Sequence, residues 1–263
     1  MTRFPRTVVL ALLLAVGASA QTTTIIPLND TGQTLCYDSA GTVISCASAG
    51  TDDGRYGRDA ANAAGQLSKA GAGSAGFDFS KIANDGSVLP ASATLGSNPS
   101  DWACTRDNVT GLLWEVKTSS GLRSSTHTYS WYSVDATTNG GNPGSLGANS
   151  CGSTLSSYAN QCNTANYVVA VNAIAPALCG YSDWRLPSLR ELQSLVDFSV
   201  PATGGAPTID ANYFSNTDAS GYYTTASNYW SPTASWVLTF SSGKFGNNLK
   251  SASNHVRLVR GGQ

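Results

Sequence analysis

A strand, the end of that strand and the start of a helix are encoded in ten consecutive residues: Asp183-Trp184-Arg185-Leu186-Pro187-Ser188-Leu189-Arg190-Glu191-Leu192. Apolar Trp184 and Leu186 are each preceded by a polar residue, and this period of two is typical of a half-buried strand. Pro187 cannot extend the strand, because it has no N–H group to donate to a neighbouring strand. We therefore predict a strand that ends at Pro187 and buries Trp184 in the core.

A helix is predicted to begin directly after this strand. The Ser188 hydroxyl can accept from the amide three residues later, and the Glu191 carboxylate can reach back to the Ser188 amide, which together make a capping box. The apolar residues that follow share one face of such a helix, and they are Leu189, Leu192, Leu195 and Val196. These signals constrain the fold and say little about function.

The N-terminus has the three parts of a secretory signal sequence. Arg3 and Arg6 form a short basic region, residues 7–17 form an apolar run, and residues 18–20 form a small-residue cleavage site. The apolar run is too short to span a bilayer. We expect residues 1–20 to be a cleaved signal peptide, and the protein to be secreted, extracellular or on the surface of a bacterium, with the periplasm as the alternative.

Six cysteines follow the predicted signal peptide. An even number of cysteines in an exported protein predicts disulfide bonds. None forms a C-x-x-C pair and neither histidine lies near them, which argues against zinc. Proximity along the chain favours Cys36–Cys46 and Cys151–Cys162 as local bridges, and Cys104–Cys179 then remains as a long-range bridge. The sequence leaves the other connectivities open.

The composition argues against several classes of partner. Charged residues make up only 12% of the chain, about half the usual share. Without Arg3 and Arg6, thirteen basic residues stand against sixteen acidic ones. We therefore expect no nucleic-acid binding and no attraction to acidic membranes. No stretch after the signal peptide is long enough for a membrane span.

Residues 21–101 are predicted to form a loosely structured N-terminal arm. Residues 34–46 indicate a hairpin that turns at Asp38-Ser39-Ala40-Gly41. Residues 59–69 are rich in alanine and predict a short helix. Residues 71–76 read as a glycine hinge, and residues 91–100 read as a linker rich in Ser, Asn and Pro.

Residues 102–263 are predicted to form the compact domain. Its elements are expected to be a hairpin over 103–117 with its turn at 108–111, a helix over 164–175 that Pro176 ends, an apolar turn over 209–214, and strands over 236–240 and 256–260. Between them, residues 119–157 form a long polar stretch, and loops of this length are usually functional or disordered.

Apparent catalytic motifs do not fit their required context. Residues 71–76 match G-x-G-x-x-G by letter but do not follow a strand, and Ser241 to Lys244 matches S-x-x-K without its partner motifs. Ser145 lacks one glycine of a nucleophile elbow. His127 and His255 have no metal or triad spacing. We expect no enzymatic activity, no cofactor and no metal.

Several segments resemble one family in the same order. They are residues 104–115, 167–172, 179–192, 209–214, 229–231, 236–243 and 256–262. Together they resemble the Lcl C-terminal domain family, named for the domain that ends a bacterial collagen-like adhesin. The arm around Tyr56-Gly57-Arg58-Asp59 is similar more weakly. The resemblance implies a surface-associated protein whose adhesin relative binds sulfated glycans.

The Arg-Leu-Pro helix start and the Val256 to Arg260 strand also resemble formylglycine-generating enzymes, which have a C-type-lectin-like core. The resemblance thus implies an α+β, C-type-lectin-like domain with two helices and an antiparallel sheet, preceded by the arm. The catalytic cysteine pair of those enzymes has no equivalent here. The calcium-chelating Glu-Pro-Asn and Gln-Pro-Asp tripeptides of sugar-binding lectins do not occur either. The chain also has no collagen-like repeat, which leaves its oligomeric state open.

The C-terminal quarter is predicted to carry the ligand-binding face. No acidic residue follows Asp218, whereas basic residues do, and we expect salt-sensitive, calcium-independent binding of a sulfated or acidic glycan. Aromatic rings stack on sugars, and amides and amines hydrogen-bond to them. The candidate ligand-binding residues are Tyr222, Tyr223, Asn228, Tyr229, Lys244, Asn247, Asn248, Lys250 and Asn254. Trp230 and Trp236 lie among them, with burial in the core as the alternative.

Three functions compete at this stage. The first is a non-enzymatic, adhesin-like binding module for cell adhesion and carbohydrate binding, which engages a glycan or a surface protein. A variant of it is a domain with a hypervariable C-terminus, because Asn, Tyr and Ser are dense after Tyr222. The second is a structural subunit of a bacterial envelope or surface assembly, and the third is an enzyme.

Overall fold

The computed structural model describes residues 29–201 and 205–261, so the predicted signal peptide lies outside the described residues. The described chain has an α+β fold with antiparallel sheets. Its strands are β1 (Cys36–Tyr37), β2 (Val43–Ile44), β3 (Phe79–Ala83), β4 (Val88–Leu89), β5 (Trp102–Asp107), β6 (Leu113–Glu115), β7 (Tyr222–Asn228), β8 (Ala234–Thr239), β9 (Phe245–Leu249) and β10 (Val259–Arg260). Its α-helices are α1 (Asp53–Tyr56), α2 (Arg58–Ala63), α3 (Thr164–Asn172) and α4 (Leu189–Gln193).

A five-stranded sheet with the order β10-β6-β5-β3-β4 forms the centre of the fold. Strand β3 pairs with β5 in a register that sets Phe79 opposite Asp107 and Lys81 opposite Thr105. Both β3 and β4 come from the segment predicted as the arm. The sheet therefore begins at Phe79, before the predicted domain start at residue 102, because β3 supplies the hydrogen-bonding neighbour that β5 needs.

Both faces of this sheet are covered by hydrophobic clusters. Successive residues point to opposite faces of a strand, and accordingly Leu113 packs in one cluster and Trp114 in the other. Leu258 and Val259 divide between the clusters in the same way. One cluster also contains Trp184 and the residues of α3. The other receives the three-stranded sheet β7-β8-β9.

The predicted glycine hinge is instead a docked segment. Ala72 exchanges two backbone hydrogen bonds with Phe79, at 2.9 and 2.6 Å. The Ser74 amide donates to Asp210 at 3.0 Å, and its hydroxyl donates to Asp197 at 2.6 Å. At Gly71 a side chain would overlap the Phe79 carbonyl oxygen. The glycines thus allow a close approach of two backbones.

Other elements of the arm follow the predictions in part. The hairpin β1–β2 is confirmed, with Cys36 opposite Ile44. The helix predicted over 59–69 is shorter, since α2 ends at Ala63 and Gly65 then adopts a φ of 69°. In the predicted linker, Thr94 accepts a backbone hydrogen bond from Trp102 at 3.2 Å.

The motif around Trp184 has the predicted structure, with a shorter strand. Trp184 is only 2% exposed. Ser188 and Glu191 form the complete capping box at the start of α4. The strand is reduced to one bridge, in which Arg185 and Val259 exchange two backbone hydrogen bonds of 2.9 Å.

All three predicted disulfides are confirmed. They join Cys36 to Cys46, Cys104 to Cys179, and Cys151 to Cys162. The hairpin β5–β6 and the helix α4 are confirmed as well, and the helix predicted over 164–175 forms as α3 but already ends at Asn172. Residues 119–155 contain no α-helix and no extended strand, as the long polar stretch predicted. In the described part of the chain, no helix has the length and apolarity that crossing a bilayer requires.

Candidate functional site

The structure divides the predicted ligand-binding residues between the surface and the interior. Tyr223, Lys250 and Asn254 are buried, and a ligand therefore cannot reach them. Tyr222, Lys244 and Asn247 are exposed, while Asn228, Tyr229 and Asn248 are half-buried. Asn228 donates to the Thr138 carbonyl at 2.6 Å, and Asn248 donates to Asn254 at 3.0 Å.

Lys250 connects the end of β9 to the long polar loop. Its ammonium donates to the carbonyl oxygens of Asn139 at 2.6 Å and Asn142 at 2.8 Å. The same nitrogen lies 4.0 Å from the centroid of the Trp131 ring, a cation–π distance. Burial lowers the pKa of Lys250. Its role is to hold the loop, and the prediction that it faces a glycan is wrong.

The other basic groups of the C-terminal quarter do not add exposed positive charge to the predicted cationic face, because they are buried or paired. Arg257 is buried, and Arg260 forms an ion pair with Asp183 at 2.7 Å. His255 is enclosed, and burial lowers its pKa, which disfavours its charged form. Within the described residues after Asp218, Lys244 is the exposed basic residue that forms no ion pair.

Arg257 belongs to a buried ionic network that sequence reasoning missed. Its guanidinium donates to the Glu115 carbonyl at 2.8 Å and to the Thr217 hydroxyl at 2.7 Å. The Glu115 carboxylate lies 3.1 Å from the Lys117 ammonium and accepts a hydrogen bond from the Tyr167 hydroxyl. Burial lowers the pKa of Lys117 to about 8. These side chains are sealed from solvent, and the network joins β6, α3 and the chain before β10.

A group of four aromatic rings, two of them exposed and two half-buried, lies on the three-stranded sheet, and we call it the aromatic platform. It consists of Tyr229, Trp230, Trp236 and Phe245. Tyr229 contacts Trp230 and Trp236 with centroid distances of 5.5 and 4.9 Å, and Trp236 contacts Phe245 at 5.8 Å. Trp230 is 83% exposed. Burial in the core, the alternative for Trp230 and Trp236, is therefore wrong for Trp230, and Trp236 is half-buried.

The sheet explains how these rings come together. Trp236 lies in the central strand β8, directly opposite Asn247 of the edge strand β9. Phe245 begins β9, and Tyr229 and Trp230 follow the end of β7. Asn247 and Lys244 are exposed on the same strand and its preceding turn. The platform is thus an apolar surface with the Asn247 amide opposite Trp236, and the exposed Lys244 directly precedes Phe245 in the chain.

A groove of about 760 Å³ is a second candidate site, separate from the aromatic platform. Its apolar wall includes Val134 and Val169, which are both exposed, and Leu186. Arg185 and Glu191 also line it, and they form an ion pair at 2.7 Å. The Arg185 and Glu191 side chains are thus engaged with each other and with the capping box. Sequence reasoning missed this groove because its walls come from distant segments.

Comparison with known proteins places the chain in a family. The model of the Lcl C-terminal domain matches residues 103–260. The match covers more than half of the chain, and the protein belongs to the Lcl C-terminal domain family, as the sequence predicted. No curated protein and no solved structure shows significant similarity to it.

Proposed function

We propose that this protein is an exported, non-enzymatic binding module that engages a carbohydrate through the aromatic platform. The observation that carries the proposal is Trp230, which stays 83% exposed within a group of four aromatic rings on a folded sheet. Membership of the Lcl C-terminal domain family agrees with a surface-associated module. The three disulfides support an oxidising compartment, outside the cytoplasm.

The chemistry of the platform favours sugar rings. A pyranose presents an apolar C–H face that stacks on an aromatic ring, while its hydroxyls need hydrogen-bonding partners at the edge. Asn247 is such a partner opposite Trp236, and Lys244 is an exposed amine directly before Phe245 in the chain. Because Lys244 is a single exposed cation, this surface fits a neutral or weakly acidic glycan better than a densely sulfated one.

The absence of catalysis is part of the proposal. The titratable network around Glu115 and Lys117 is closed to substrates, since the two side chains are 0% and 3% exposed. The C-type-lectin-like relationship that the family resemblance implies stays a prediction.

A glycan array with the purified protein tests this proposal. We expect neutral glycans to bind and Trp230→Ala to weaken binding at least tenfold, which corresponds to about 1.4 kcal/mol. Tyr56→Ala is the matched control, because Tyr56 is an exposed aromatic residue of the arm. Equal binding by the wild type and Trp230→Ala would remove the platform from the function. Strong heparin retention that Lys244→Glu abolishes would instead favour an acidic glycan.

One observation favours a second function, a structural subunit of a bacterial envelope or surface assembly. Strand β9 pairs with β8 alone among the described strands, and its Phe245 and Leu249 are exposed. An open strand edge with apolar side chains can pair with another chain. Native mass measurements over a range of concentrations distinguish the two functions: oligomers that Leu249→Lys dissolves would support the assembly, whereas a monomer supports the binding module.

A further inference from the structure

We propose that Asp30, Asp53 and Asp59 bind a divalent cation, with calcium as the preferred ion. One carboxylate oxygen from each residue lies within 4.8 Å of the others. Asp30 precedes β1, Asp53 lies in α1 and Asp59 lies in α2. No metal was predicted from the sequence, because these residues form no local motif and meet only in the folded chain.

Unpaired buried oxygens distinguish this group from an ordinary acidic surface. Asp30 is 7% exposed and Asp59 is 2% exposed. The Oδ2 atom of each carboxylate is buried and has no hydrogen-bond partner. Burying an ionised oxygen without a partner is costly, and a bound cation supplies the missing partner for both.

The other oxygen of each of these two buried carboxylates is held by a backbone amide. Asp30 Oδ1 accepts from the Thr31 amide at 2.7 Å, and Asp59 Oδ1 accepts from the Gly76 amide at 2.6 Å. A side chain at Gly76 would overlap Asp30 Oδ2. The Gly76 backbone therefore lies against both carboxylates and orients them toward each other.

No basic side chain among the described residues forms an ion pair with this group. None of the ion pairs among the described residues includes Asp30, Asp53 or Asp59. The nearby Arg58 donates to the Gly76 carbonyl at 2.9 Å, and Lys69 donates to the Gly73 and Ala75 carbonyls at 3.0 and 2.6 Å.

The charge conflict has a titration consequence in the absence of a cation. Burial, followed by the neighbouring Asp30 carboxylate, raises the pKa of Asp59 to about 7, and Asp53 adds to the effect. The alternative to a cation is a proton on Asp59.

The ligand set selects the kind of ion. Calcium takes oxygen ligands, often several carboxylates with backbone carbonyls and water, and tolerates irregular geometry. The group offers oxygens alone, since Cys36 and Cys46 of the same arm are joined in a disulfide. Asp53 is half-buried and leaves one side of the group open to solvent.

The consequence of binding is to fasten the arm to the domain. Asn29 donates to Asp107 at 2.8 Å, and the Thr31 carbonyl accepts from the Phe198 amide at 2.9 Å. Asp30 lies between these two anchors, and Asp53 and Asp59 belong to the helices behind them. A cation shared by the three aspartates therefore joins the helices α1 and α2 to the segment around Asp30, which is itself hydrogen-bonded to Asp107 and Phe198.

Calcium titration of the chelator-treated protein tests the proposal. We expect one calcium per chain by calorimetry, with a Kd of about 10⁻⁴ to 10⁻³ M as in other extracellular modules, and a melting temperature that rises with calcium concentration. Asp53→Asn should weaken calcium binding at least tenfold without unfolding the arm, because Asp53 is the least buried of the three. Asp38→Asn is the matched control, since Asp38 is an exposed carboxylate of the same arm.

Two results would overturn the calcium site. One is a melting temperature that neither calcium nor magnesium changes and that falls as pH rises from 5 to about 7, which identifies a proton on Asp59. The other is a calcium response that Asp53→Asn and Asp59→Asn leave intact. A response to magnesium equal to that for calcium would refute the preference for calcium.

Discussion

Asn172, the last residue of α3, binds the backbone of Trp184 through both groups of its side-chain amide. Its Nδ2 donates to the Trp184 carbonyl at 2.9 Å, and its Oδ1 accepts from the Trp184 amide at 2.8 Å. The short strand before Pro187 thus receives from a helix the two hydrogen bonds that a neighbouring strand would normally provide. This contact fixes the Trp184 ring between α3 and the central sheet.

Trp184→Ala is expected to unfold the compact domain or to destabilise it by about 3–5 kcal/mol, the usual cost of truncating a buried tryptophan. The measurement is the free energy of unfolding in denaturant. Trp230→Ala is the matched control, because it makes the same change at a site that is 83% exposed, and its stability should stay within about 0.5 kcal/mol of the wild type. Equal melting temperatures for the wild type and Trp184→Ala would contradict the assignment of Trp184 to the core.

Lys250→Met is expected to lower the free energy of unfolding by about 2–3 kcal/mol. The change leaves the Asn139 and Asn142 carbonyls without their donor, and unpaired buried acceptors are costly. Lys244→Met is the control, since Lys244 is exposed and exposed charges contribute little to folding. Chemical denaturation of both variants checks this prediction, which replaces the expectation that both lysines face a ligand. Similar stabilities for the two variants would show that Lys250 does not hold the loop.

Removing the Cys104–Cys179 disulfide is expected to cost more than removing Cys36–Cys46. The first bridge closes a sequence separation of 75 and the second a separation of 10. The chain-entropy relation gives about 4.5 kcal/mol for the longer loop and about 2.7 kcal/mol for the shorter one. Pairwise Cys→Ser variants, compared by thermal unfolding, measure the difference. A larger loss for Cys36–Cys46 would show that the arm hairpin stabilises the protein more than the long-range bridge.

The lowered pKa of Lys117 is expected to make the free energy of unfolding rise with pH in the alkaline range. Burial lowers its pKa in the folded protein from 10.5 to about 8, although the Glu115 carboxylate opposes this shift. Between pH 8 and 10 the unfolded chain therefore binds more protons at Lys117 than the folded chain does. Linkage then makes this group's contribution to the free energy of unfolding increase with pH over that window.

Lys117→Met provides the control for this effect. The variant loses the hydrogen bonds between the Lys117 amine and the Glu115 and Tyr167 side chains, so its stability should be lower, but the alkaline rise should be absent. The measurement is the slope of the free energy of unfolding against pH from 8 to 10 in both proteins. Above pH 10 the buried Tyr129 and Tyr167, whose pKa values burial raises, oppose the effect. Identical slopes would show that Lys117 does not change its protonation in this window.

Elements with short-range signals were predictable from the chain. The Ser188–Glu191 capping box closes within one helical turn, and the β5–β6 hairpin is marked by its own turn residues. The three disulfides followed from cysteine proximity, because the two short loops are the easiest to close and leave one remaining pair. Family membership was visible for the same reason, since its motifs are contiguous stretches.

Features that depend on distant contacts were not predictable. A lysine in a polar C-terminal segment has the same sequence signal whether it faces solvent or donates to a loop 111 positions away, as Lys250 does. Trp230 and Trp184 are equally apolar residues, and only the arrangement of the sheets exposes one and buries the other. Strand β3 joined the central sheet because β5 required a hydrogen-bonding neighbour. Local patterns thus determine where helices, turns and disulfides form, whereas burial, strand order and the meeting of Asp30, Asp53 and Asp59 arise when packing satisfies hydrogen bonds and charges across the whole chain.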